Sequence, residues 1–286
     1  MDQIDLRVGD PAYADLTVRL ESLCARLPGA GELNRAVGQL RGPLRVAVTG
    51  RFGTGRDTVA AALRRRFDVS PIGPGDDAED ADAWLHVLAG WPREDDVVAL
   101  AALDPRRSLV LLGKSDSLGS WPAARVRAGE CAGELGRPVI PLMAILAIAD
   151  LGDEEIEMLA AMAAAGEQVP PMQATFIDAG GPGQRLGRMA LLRRLDAYGI
   201  AVTIAVLGSG RCEAAELAEL LMQRSGLDAL ADPLRGFAAA APVVRLRRVA
   251  AELEIIAAQG VLRDGIEDLL SGSMLAAAAE EAFVWM

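Results

Sequence analysis

The stretch Leu44-Arg45-Val46-Ala47-Val48-Thr49-Gly50-Arg51-Phe52-Gly53-Thr54-Gly55-Arg56-Asp57-Thr58 decides the fold class. Its opening residues form a short apolar run, which predicts a buried strand. Gly50, Gly53 and Gly55 then allow backbone angles that other residues avoid, and the pattern from Asp57 to Phe67 predicts a helix. A glycine-rich turn between a strand and a helix can point successive N–H groups at an anion on the helix N-terminus.

Downstream the same rhythm repeats. Strands are predicted at 83–88, 109–112 and 139–142, with helices at 94–103 and 123–135 between them. Strands and helices alternating at this spacing imply an α/β domain of three layers with a mostly parallel sheet. Residues 68–80 are rich in Pro, Gly and Asp and are expected to hold no long strand. Helices are predicted at 153–165, 184–197 and 213–224, and Ile200 to Val206 reads as a further strand. Thr175 to Gly181 reads as an apolar segment ending in a glycine-rich turn.

The flanks differ from this middle. Leu16, Leu20, Leu23 and Leu27 fall on one helical stripe and Leu33, Val37 and Leu40 on a second, with Leu27-Pro28-Gly29 between them. From Pro233 the chain is expected to be nearly all helical, broken near Pro242, Gly260 and Ser271-Gly272, with Leu246, Val249, Leu253 and Ile256 on one face. Stripes at opposite ends of a chain are most simply buried against each other, so a small helical bundle is expected. The predicted organisation is 1–42 N-terminal helices, 43–232 α/β domain, and 233–286 C-terminal helices.

Composition removes several function classes. The 286 residues are 51% hydrophobic and only 4% aromatic, with a formal charge of −11. That balance argues against nucleic acid as a partner. The acidic opening does not resemble a secretory leader, and Val139 to Ala149 is too short for a transmembrane helix, so a cytoplasmic protein is expected. Cys24, Cys131 and Cys212 lack metal-ligand spacing and read as buried thiols, and His86 lies in an apolar strand, so no cysteine–histidine metal site is expected. Of the 29 basic residues only Lys114 is a lysine, which singles it out.

Two motifs carry chemistry. The phosphate-binding P-loop pattern is Gly, four residues, Gly, Lys, then Ser or Thr. Here Gly50 and Gly55 fit, with Gly53 between them, but Arg56 replaces the lysine and Asp57 replaces the magnesium-binding hydroxyl, while Thr58 could still reach an α-phosphate. The second motif is Gly113-Lys114-Ser115-Asp116, directly after the strand at 109–112. It resembles the guanine-recognition motif of GTPases, which is Asn or Thr, Lys, any residue, Asp.

With Asp82 to Leu88, Asp95-Asp96, Pro138 to Ala144, Leu195 to Ile200 and Ser225 to Leu230, the region 44–256 resembles bacterial, in particular actinobacterial, dynamin-like large GTPases. The resemblance implies that Asp116 accepts hydrogen bonds from two guanine nitrogens. It also implies that the stem of Lys114 covers the base and that the N–H of Ala144 approaches guanine O6. Gly113 departs from the family's Asn or Thr, and Met143 from its Ser. The switch threonine and the strand ending in Asp-x-x-Gly are missing between the two motifs. These losses imply a degenerate member, a pseudo-GTPase that holds GDP or GTP weakly or not at all. Its partner would be a second copy or an intact GTPase paralogue, with no catalytic residues and no certain magnesium ligand. Two alternatives stay open at this point: a divergent active GTPase in which Asp57 ligates magnesium, and a structural module with an empty pocket.

Overall fold

A computed structural model describes residues 3–4, 11–27, 30–73, 78–210, 212–272 and 274–278. In chain order the elements are α1 (Pro11–Cys24), α2 (Gly31–Gly38), β1 (Leu44–Thr49), α3 (Arg56–Arg66), β2 (Val69–Ile72), β3 (Ala83–Ala89), α4 (Glu94–Ala101) and β4 (Ser108–Gly113). There follow α5 (Trp121–Leu135), β5 (Val139–Pro141), α6 (Ala144–Ala147), α7 (Asp153–Ala164), α8 (Gln173–Ala179), α9 (Gly181–Ser209) and α10 (Ala214–Arg224). The last two are α11 (Ala231–Ala258) and α12 (Arg263–Leu270). The chain divides into a sheet unit of residues 1–4, 46–67 and 71–232, and a helical unit of 5–45, 68–70 and 233–286.

The sheet has five parallel strands in the order β2-β1-β3-β4-β5. Register places Thr49 opposite His86 and Leu88 opposite Leu112. Leu85, His86, Val87 and Leu88 are consecutive and all buried, so both faces of β3 are covered, as apolar parallel strands require. On one face Leu88, Val110 and Leu112 pack with Leu100 of α4 and with Ala128 and Cys131 of α5. A larger apolar cluster joins α5 to α10 and includes Met143, Leu146, Leu159, Phe176, Leu191 and Leu221. Within it the buried guanidinium of Arg188 pairs with Glu167 at 2.7 Å and stacks 4.9 Å from the Phe176 ring, which joins the segment after α7 to α8 and α9.

Several expectations are corrected. Ile200 to Val206 is part of α9, not a strand. Its β-branched residues suit either element, but burial falls on Ile200 and Thr203, a helical spacing that packs on the cluster. Thr175 to Ala179 lies in α8 rather than in a strand and turn, with Phe176 as the buried anchor. Pro242 does not break α11, which runs through it. A short strand, β2, occupies Val69–Ile72; its Pro71 is compatible with the edge position. Pro28 and Gly29 lie outside the described residues. Cys131 is buried, whereas Cys24 and Cys212 are half-buried.

In the helical unit Leu16, Leu20, Leu23, Leu33 and Val37 share one buried cluster with Leu246, Val249 and Leu253, so the early and late stripes meet. Arg245 of α11 closes the exit from α2. Its Nη1 donates to the carbonyls of Gln39 (2.9 Å), Leu40 (3.3 Å) and Gly42 (2.8 Å), and its Nη2 to Pro43 (2.8 Å). Carbonyls left over at a helix end need such donors once they are buried. Among the described residues no helix is long and apolar enough to cross a membrane.

Candidate nucleotide site

The loop between β1 and α3 turns on three glycines with positive φ: Gly50 at 132°, Gly53 at 81° and Gly55 at 95°. A Cβ on Gly50 would collide with the carbonyl oxygen of Val87, so this turn presses on β3 and only glycine fits. Inside the loop the N–H and Oγ1 of Thr54 both donate to the Arg51 carbonyl, at 3.3 and 2.9 Å. The Thr54 N–H is therefore spent internally rather than offered to an anion. Gly55 is the N-cap of α3, with Asp57 in its first turn. Arg56 and Thr58 are half-buried and Asp57 is exposed. Asp57 lies where the helix dipole favours negative charge, the place a phosphate would otherwise take.

A chain of polar contacts holds this loop from beneath. Thr49 Oγ1 lies 3.1 Å from His86 Nδ1, and His86 Nε2 lies 3.1 Å from Asp96 Oδ1. Asp96 Oδ2 accepts from Arg51 Nε at 3.0 Å and from the Arg93 N–H at 2.9 Å. Both His86 (2% exposed) and Asp96 (0%) are buried. Burial pulls the His86 imidazole below its ordinary pKa, outweighing the opposing pull of Asp96. For Asp96 burial acts upward, but the donors from Arg93, His86 and Arg51 outweigh it and hold the carboxyl below its usual range. His86 is thus a buried residue with both ring nitrogens bonded, and Arg51 is committed to Asp96. The sequence reading placed neither Arg51 nor Asp96 in the site. An acidic residue three positions into a helix, opposite a lone buried histidine, was the available signal.

The second motif closes over the same loop. Lys114 has φ of 54° and caps the 3₁₀ turn Ser115–Leu118 at the end of β4. Its Cε lies 4.0 Å from the point where a Cβ on Gly55 would stand, so its stem runs along the loop. Packing explains why position 113 is a glycine. A Cβ there would meet Val87 Cγ1 at 2.8 Å and the Thr54 carbonyl at 3.0 Å, because the loop backbone already fills that space. Ser115 is wholly buried and its Oγ donates to Leu112 O at 2.8 Å, which fixes the turn. Asp116 is 7% exposed. Burial raises its pKa to about 6, Asp196 adds to the rise, and its own N–H and Lys114 oppose it. Met143 N–H donates to Ser225 O at 2.8 Å, which positions the buried Ala144 at the start of α6.

The structure therefore gathers Gly50, Gly53, Gly55, Lys114 and Asp116 at the carboxyl ends of β1 and β4. At the position of the P-loop's magnesium-binding hydroxyl stands the carboxylate of Asp57. Among the described residues no group of three or more His, Cys, Asp or Glu side chains is placed to hold a metal. No protein family, curated protein or solved structure matches this chain.

Proposed function

We propose that this chain is a GTPase-like protein that has kept the guanine-reading half of its site and lost the catalytic half, and that it works as a regulatory or interaction partner. The observation that carries the reading is the placement of Lys114 and Asp116. The only lysine of the chain lays its stem along the glycine that opens α3, and the carboxyl two residues later is buried at the end of β4. A surface turn has no need to bury a carboxylate, whereas a carboxylate shielded from water discriminates strongly for a base edge with two donors. The strand order also supports it: the loop strand β1 stands between β2 and β3, and β4 carries the base motif.

Catalysis is a different matter. Phosphoryl transfer depends on a lysine, a magnesium ligand and a water-positioning switch. Arg56 and Asp57 stand where the first two are usual, no strand ending in Asp-x-x-Gly is read between the two motifs, and the Thr54 N–H is turned inward. Phe52, at the tip of the loop, is 97% exposed, which suits recognition by another protein more than enclosure of a γ-phosphate.

Isothermal titration with GDP, GTP and ADP, each with and without magnesium, tests this reading. The expected result is guanine-selective binding, equal with or without magnesium, and no GTP turnover above a heat-treated control. Equal affinity for GDP and ADP would remove the base assignment. No binding at all would leave the structural-module alternative, and magnesium-dependent hydrolysis abolished by Asp57→Ala would restore an active enzyme.

A further inference from the structure

Asp196 interrupts α9 with φ of 56° and ψ of 176°, inside what is otherwise a helix of 29 residues. That corner of backbone space belongs almost wholly to glycine, and a residue with a Cβ stays there only when its surroundings enforce it. The surroundings do. Leu195 and Ile200 on either side are fully buried. A Cβ on Gly199 would lie 2.6 Å from Leu146 Cδ2 and 3.0 Å from Leu195 Cβ, so α9 is pressed against α6, the helix that begins at Ala144. The break sets Asp196, whose Oδ1 accepts the Ala197 N–H, where α9 packs on the turn Ser115–Leu118 that carries Asp116, close enough for each carboxyl to act on the other. The charged groups that act on Asp116 are Lys114 on its own turn and Asp196 on α9.

Two carboxyl groups at contact cannot both be ionised unless a proton or another donor lies between them. We propose that Asp196 is a second base-reading residue, and that Asp116 and Asp196 together take the N1–H and amino group of guanine in place of a proton shared in the empty site. This rests on the guanine reading above. In the empty site at acid pH one proton lies between the carboxyls. On binding it leaves to solvent, the base donors replace it, and no covalent bond of the ligand changes. Affinity then falls as the pH drops below the Asp116 value of about 6, and the loss between pH 7.5 and 5 is about tenfold.

Two measurements on the full chain test this. GDP titration calorimetry at pH 7.5, 6 and 5, in buffers of different ionisation heat, compares wild type with Asp196→Asn. Carbon-13 carboxyl NMR follows Asp116 in both empty proteins. The nucleotide's own phosphate titrates alike in both, so their difference reports the pair. The expected outcome is proton release and acid weakening in wild type, both lost in Asp196→Asn, with affinity at pH 7.5 reduced about tenfold. Asp196→Gly, which the local φ accepts, guards against misfolding and should behave as Asn does. If Asp116 titrates identically with and without Asp196, or if Asp196→Asn binds GDP equally or more tightly, this inference is overturned and the guanine reading survives. If wild type binds no GDP at any pH, both fall.

Discussion

Replacing Asp96 by alanine tests how the loop above β1 is held. Asp96 is fully buried and accepts from the Arg93 N–H at 2.9 Å, His86 Nε2 at 3.1 Å and Arg51 Nε at 3.0 Å. Losing the contact to Arg93 at the start of α4 costs about 1 kcal/mol, as helix caps do. Leaving His86 without an acceptor costs about 1–3 kcal/mol. Arg51, with a fifth of its side chain exposed, regains hydration and adds only about 0–1 kcal/mol. The total, about 2–5 kcal/mol, overlaps the usual cost of breaking a buried charged contact. Urea unfolding followed by circular dichroism at pH 7.5 reads it directly, and at about 2–4 °C per kcal/mol the melting temperature should fall by roughly 10 °C. The sign with pH is also set. His86 is depressed below about 6.5, so its contribution is full above that pH and is lost as the pH falls toward its folded value. Asp96 is likewise depressed, and its contribution disappears only at more acid pH, from about 3.9 downward. The stability of wild type relative to His86→Gln, which shares every other titrating group, should therefore begin to decline below about pH 6.5. An Asp96→Ala cost under about 1 kcal/mol would refute the view that these contacts hold the loop.

Asp116→Asn should abolish the preference for GDP over ADP without changing the melting temperature by more than a few degrees, as competition binding would show. Lys114→Ala should weaken GDP binding and leave the urea midpoint unchanged, since the side chain is exposed and only its stem touches the loop. Gly113→Asn should destabilise by about 1–3 kcal/mol in thermal unfolding, because the new Cβ meets Val87 and the Thr54 carbonyl. Asp196→Gly should raise stability by about 1–3 kcal/mol while weakening GDP binding, opposite effects that a purely structural role for Asp196 does not produce.

The parallel core was legible because β1, β3, β4 and β5 are short apolar runs bounded by turn residues. Residues 200–206 were misread for the same reason: a continuous apolar run has no periodicity, and only the partners of Ile200 and Thr203 reveal the helix. β2 was missed because four residues containing a proline carry almost no strand signal. Of the site, Gly50, Gly55, Lys114 and Asp116 follow from motif spacing. Arg51, Asp96 and Asp196 do not, because each acts through a contact made across 45, 10 or 80 residues of chain. No local pattern marks Asp196; its role depends on a helix break enforced by Gly199 and Leu146.

The clasp made by Arg245 has a consequence for biosynthesis. The carbonyls between Gln39 and Pro43 wait for a guanidinium about 200 residues later, and the leucines of α1 and α2 wait for Leu246, Val249 and Leu253 on the same helix. A ribosome adding about 5–20 residues per second leaves that stripe uncovered for roughly 10–40 seconds. During that interval the sheet unit, residues 46–67 and 71–232, is itself being synthesised, while the segment leading into β1 still exposes its apolar face. The nascent chain is therefore a ligand for chaperones at its beginning, and its release from them depends on synthesis of α11.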